Sequence, residues 1–139
     1  MKSTDELSKT LKNSNNVTDY IKHNIDDISN ITFVDYLNQC MIAHEMTRAQ
    51  VIDGADIQKN YGYQIFNGLK KPSRDKVLSL CFSMALSVDE SNRLLKLSDH
   101  AILYPRIKRD SILIFALEKK QNLINTNLLL DQMGEPAIE

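Results

Sequence analysis

A chain of 139 residues, 42% apolar and 25% charged, has an ordinary globular composition and is long enough to bury one core. No apolar run approaches the ~20 residues of a membrane helix. The polar start lacks the apolar stretch of a secretory leader, so no membrane contact and a cytoplasmic setting are expected. The formal net charge of −1 gives the whole chain no attraction to nucleic acid.

Residues 1–30 read as a polar N-terminal arm. Ser3 and Glu6 have capping-box spacing. Residues 13–16 read as a break, and 17–28 as a weak helix with Tyr20, Ile21, Ile25 and Ile28 on one side. From Thr32 the pattern strengthens: Phe33, Leu37, Cys40, Met41 and His44 recur at helical spacing. His44 reads as a helix-end residue, because no other His or Cys offers metal spacing. Cys40 and Cys81 both sit in apolar helical stretches and are expected as buried free thiols.

Thr47 is a candidate N-cap for a short second helix carrying Val51 and Ile52, interrupted at residues 54–56. A third helix is expected over 58–67, stopped by Gly68. Ser73 caps a fourth helix over 74–86, with Asp75 in its first turn. Ser87 and Glu90 form a second capping box, opening a fifth helix that runs to Leu97. After a connection with Pro105, helices are expected over 110–119 and 123–133, ended by Gly134 and Pro136. No stretch alternates like a strand, so the fold is expected to be all-α.

Shifting the chain by 35 residues lays Arg74 and Asp75 on Arg109 and Asp110, Leu78 on Leu113, Asn92 on Asn127, and Leu94 and Leu95 on Leu129 and Leu130. A period near 35 is that of a two-helix unit that stacks on its neighbour. Two copies of such a unit predict that Phe115, Leu129 and Leu130 are buried as Leu80, Leu94 and Leu95 are. Asn92 and Asn127 should hold equivalent places. The Arg–Asp doublets invite a catalytic reading. A plainer one is that each Asp stabilises a helix start while each Arg lies on an exposed first turn. No Ser/His/Asp set, Cys/His set or phosphate-cradling glycine loop accompanies them, and no cofactor or enzyme activity is expected.

Charge is uneven along the chain. Residues 57–76 hold Lys59, Lys70, Lys71, Arg74 and Lys76 against Asp75 alone, whereas residues 31–56 hold Arg48 against Asp35, Glu45, Asp53 and Asp56. A cationic strip beside acidic surface fits docking on a polyanion. On the third helix, Lys59, Asn60, Tyr63, Gln64 and Asn67 fall within one arc of about 140°. Tyr61, Gly62, Ile65 and Phe66 fall on the other side. Gln and Asn can pair with adenine, and Lys with guanine, in the major groove. An amphipathic surface helix would show the same division.

Residues 46–72 resemble the helix-turn-helix of the Cro/C1-type (XRE) phage-repressor family. Val51, Ile57, Ile65, Gly68 and Pro72 fall without a gap on its helix-2 leucine, post-turn apolar residue, late recognition-helix apolar residue, terminal glycine and downstream proline. The chain is also similar to small bacterial members carrying Tyr-x-Tyr-Gln-Ile-Phe-x-Gly, Pro-Ser-Arg-Asp and Leu-Tyr-Pro, here at 61–68, 72–75 and 103–105. The resemblance implies that Lys59, Asn60 and Gln64 face bases, with Tyr63 beside them on the same arc. It implies that Arg48, Asn67, Lys70 and Lys71 approach phosphates, and the basic segment adds Arg74. Three positions depart from the family. Ile52 replaces a small alanine, a change expected to push the third helix outward. Asp56 replaces the turn glycine. Gly62 replaces a core aliphatic whose volume Tyr61 and Phe66 are expected to refill.

These readings give an all-α chain: a repressor-like helix-turn-helix domain over 31–97, extended by a helix pair over 98–139 packed on it. The expected function is sequence-specific binding of double-stranded DNA as a homodimer, for transcriptional regulation. The duplicated pair, with Leu94, Leu95, Ile112, Phe115, Leu129 and Leu130, is the candidate dimer or protein-partner surface. The alternative is a helical protein-interaction module that does not bind DNA.

Overall fold

The computed structural model describes residues 31–139, so the expectations for the N-terminal arm lie outside the described residues. The described residues contain helices and no strand. The helices are α1 (Phe33–Ala43), α2 (Arg48–Gly54), α3 (Lys59–Phe66), α4 (Arg74–Ser83), α5 (Val88–Leu97), α6 (Lys108–Glu118) and α7 (Leu123–Gln132).

Local chemistry sets the ends of these helices, except the start of α6, where Ile107 offers no side-chain cap. Thr47 and Ser87 accept from the backbones of Gln50 and Glu90, whose side chains reach back to complete two capping boxes. Thr32, Ser73 and Asn122 cap α1, α4 and α7 in the ordinary way. Each helix also stops in the same manner. A residue of positive φ follows the C-cap (Glu45, Asp56, Gly68, Ala85, Asp99, Lys120 and Gly134). The next N–H then reaches back over the last turn, as from Met46 to Met41 O, Leu86 to Cys81 O and Gln121 to Ala116 O. This Schellman closure favours glycine, yet glycine fills it only at Gly68 and Gly134. Asp56, at φ 53°, takes the left-handed turn where the resembled family has glycine.

One buried cluster runs from Leu37 through Val51, Ile65, Leu80 and Leu94 to Leu117 and Leu130. Helix α2 packs on α3 and α4, and α1 packs on α3 and α5. Cys40 and Cys81 lie in this core as free thiols. Burial pushes Cys81 up to about 12 and raises Cys40 as well. His44 ends α1 and pairs with Glu90 of α5 at 3.1 Å, tying those helices together.

The two helix pairs, α4–α5 and α6–α7, are copies in detail. Leu103 N donates to Asn92 Oδ1 at 2.9 Å, and Ile138 N donates to Asn127 Oδ1 at 2.8 Å. Arg74 Nε and Nη2 donate to the carbonyls of Ala101 and Ile102; Arg109 Nε and Nη2 donate to those of Pro136 and Ala137. Every partner is displaced by 35 positions.

Their relation is not the open stacking that the period suggests. Arg74 forks onto Asp110 with contacts of 3.1 and 3.0 Å, and Arg109 forks onto Asp75 with two of 3.1 Å. Tyr104 N caps Asp110 Oδ2 as Glu139 N caps Asp75 Oδ2. In a translated stack the second copy's Arg would reach for a third copy. Here each copy makes to the other the contact it receives, which is the signature of a two-fold axis. Helix packing agrees, with α4 on α7 as α6 is on α5. The pairs therefore close on each other and leave no end for a further repeat. The Arg–Asp doublets are the bolts of this closure. Neither Arg lies on an exposed first turn: their side chains are 25% and 18% exposed.

Burial of the second copy is only partly as expected. Leu130 is fully buried, Leu129 half-buried, and Phe115 52% exposed, while Leu80, Leu94 and Leu95 are all buried. Leu94, Leu95 and Leu130 are fully buried in the intramolecular core, while Ile112 is 8% exposed at its edge.

Candidate nucleic-acid interface

Helix α3 is held by one face and offers the other. Ile65 and Phe66 are buried, Gly62 lies against the core, and Tyr61 packs partly on it. Burying two such side chains contributes about 3–6 kcal/mol toward holding the helix. On the outer face Lys59, Asn60 and Asn67 are exposed, and Tyr63 and Gln64 are half-buried. Part of the Tyr63 ring packs on the core, leaving less of it to present outward. Gln58 is not part of this face; its side chain caps α3 by accepting from Tyr61 N at 3.0 Å.

Two of the departures from the resembled family cancel each other. A Cβ built on Gly62 would stand 2.7 Å from Ile52 Cγ1 and Cγ2 and 2.8 Å from Cδ1. Ile52 thus fills the space above Gly62 and does not push α3 outward. That volume is taken by Ile52 itself, 3% exposed, rather than by Tyr61 and Phe66. A large-for-small exchange between two facing positions keeps core volume constant.

The candidate phosphate contacts gather along the C-terminal side of α3. Arg48 Nη1 donates to Asn67 Oδ1 at 3.3 Å, and its guanidinium lies 5.8 Å from the Phe66 ring centre. The start of α2 and the end of α3 thereby share one polar edge. After Gly68 the chain folds back, with Leu69 N and Lys70 N both donating to Gln64 O. This turn leaves Lys70 and Lys71 exposed, lining a groove with Thr32, Pro72 and Asp99.

Arg74 leaves the phosphate set. Its guanidinium makes four hydrogen bonds, two to Asp110 and two to carbonyls, so it is committed to the repeat closure. No local pattern marks this buried partner, 36 residues away. The position of Asp53 is set only by the fold. The residue shares a cleft with Lys59, Ile52 and Ile57, and so sets a carboxylate beside a candidate base-reading cation. Its acidic character was plain in the sequence, but its place in space was not.

Among the described residues no cluster of His, Cys, Asp and Glu could hold a metal, and no helix is long and apolar enough to cross a membrane. No family model, curated protein or solved structure matches the chain.

Proposed function

We propose that this protein is a cytoplasmic, sequence-specific DNA-binding regulator of the Cro/C1 type, without enzyme activity. Helix α3 enters the major groove, and the protein reads two half-sites as a two-fold dimer. Lys59, Asn60 and Gln64 read base edges, with Tyr63 at the margin. Arg48, Asn67, Lys70 and Lys71 meet phosphates. The observation that carries the reading is the division of α3: a buried apolar face anchors it, while an outer face bears amides and a lysine. Arg48 is hydrogen-bonded to Asn67 at the end of that face, and exposed Lys70 and Lys71 follow it in the chain.

A second reading, a helical protein-interaction module that does not bind DNA, is favoured by the exposed apolar side chains of α6 and α7. A gel shift with the DNA upstream of the protein's own coding sequence separates the two. The regulator reading expects binding, and it expects Gln64→Ala to cost about 1–3 kcal/mol on the preferred site while relaxing base preference. Binding and base preference both unchanged in Gln64→Ala would remove Gln64 from base reading. No binding to any duplex would leave the interaction module.

A further inference from the structure

The two-fold relation between the helix pairs shows which surface of the second pair is left open. Whatever α4–α5 covers on α6–α7, α6–α7 covers on α4–α5. Phe115 is open, so its counterpart Leu80, fully buried, owes its cover to α1–α3 and not to the other pair. The same holds for Pro72, buried, against Ile107, exposed, and for Leu94, buried, against Leu129, half-buried. The first pair seats α1 and α2 on this face. On the second pair nothing among the described residues covers it.

What stands there is a built apolar groove. Ile107, Ser111 and Phe115 recur every fourth residue along α6, and Ser111, Ile112 and Phe115 line the groove with Leu129 and Met133. Ile107, Phe115 and Met133 are 52%, 52% and 46% exposed. At the ~150–250 Å² of a large side chain this is about 300 Å² of apolar surface. Protein interfaces are a little over half apolar. Two copies of this face would therefore bury about 1,000 Å² in total, the lower bound for a specific contact.

We infer that this groove is a homodimer interface, occupied by the same groove of a second copy. The surface is self-complementary, since one face carries both a protruding ring and the trough beside it. A two-fold pairing sets each Phe115 into the trough of the other copy. Residues flanking the groove in sequence carry both signs, Lys108 and Lys119 with Glu118 and Asp131. Lys108 Nζ donates to Met133 O at 2.7 Å and Lys119 lies 5.8 Å from the Phe115 ring centre, which leaves the apolar centre bordered rather than covered. The inference stands on the repeat geometry and does not require DNA binding.

The test is sedimentation equilibrium of the full chain from about 1 to about 200 µM. A concentration-dependent monomer–dimer equilibrium is expected. Phe115→Glu should raise its Kd at least tenfold while leaving the helical circular dichroism and melting unchanged. Met133→Lys, at the far end of the groove, provides a second disruption should Phe115→Glu fail to fold. Ile42→Glu, at an exposed apolar position on α1, should leave the equilibrium unaltered. A monomer throughout the range would overturn the inference, as would a dimer that tolerates the groove substitutions. Binding of monomeric Phe115→Glu to a single half-site duplex reports on the DNA reading separately, because α3 is untouched.

Discussion

Removing the Asp110 carboxylate should cost far more stability than removing its repeat counterpart, Asp75. Both accept a forked guanidinium and one backbone N–H. They differ in depth, since the Asp110 side chain is 3% exposed and that of Asp75 27%. Asp110→Ala leaves Arg74 charged in a largely desolvated site, and breaking a buried pair costs about 3–5 kcal/mol. Arg74 keeps its carbonyl partners Ala101 and Ile102, which places the expected loss near the lower end, about 3 kcal/mol. Asp75→Ala exposes Arg109 to more water, and about 1–2 kcal/mol is expected. Urea unfolding of the full chain measures both, with an unchanged slope confirming that the denatured state is not altered. Equal losses, or the reverse order, would refute the claim that burial rather than hydrogen-bond count sets the strength of each closure.

Two further outcomes follow from packing and titration. Gly62→Ala should destabilise by about 1–3 kcal/mol through its clash with Ile52, although alanine is the better helix former by about 1 kcal/mol. Adding Ile52→Ala should recover part of that loss, and urea midpoints showing strict additivity would argue against direct contact between the two positions. Stability should also fall in acid. Burial alone would raise the Asp75 carboxyl, but Arg109 and the Glu139 N–H outweigh it and hold the group low. Burial of Glu90 is likewise outweighed by the Ser87 N–H and His44. A carboxylate lowered on folding contributes fully above its unfolded value, near 4, and loses that contribution as pH falls through the lower folded value. Urea midpoints should therefore drop below about pH 4 and drop less in Asp75→Asn; a midpoint flat across that range would contradict the ion-pair account.

Much of the helical order was legible because it depends on local chemistry. Thr47, Ser73, Ser87 and Gly68 mark helix ends by side chains that act within a turn. The copying of 74–103 into 109–138 was legible as well, since identities such as Asn92 and Asn127 survive at hydrogen-bonding positions. The operator relating the copies was not. A period of 35 fits a translation and a two-fold alike, and only the crossed Arg–Asp contacts distinguish them. The same gap misled the reading of Arg74 as a phosphate contact and of Phe115 as buried. Gly62 and Ile52 looked like two separate losses because pairwise compensation appears only when the residues face each other. The polar arc of α3 is legible as a face because 3.6-residue periodicity needs no tertiary information.

Contact of α3 and its basic edge with duplex DNA would show in the salt dependence of binding. Fluorescence anisotropy with a labelled duplex gives log K against log salt for the parent and for Lys70→Gln/Lys71→Gln. Each lost phosphate contact should flatten the slope by about 0.9, because one fewer condensed counterion is released. The double variant should therefore bind all duplexes more weakly, with a slope shallower by about 1.8. An affinity in the parent that does not change with salt, or a slope identical in the two proteins, would contradict the account.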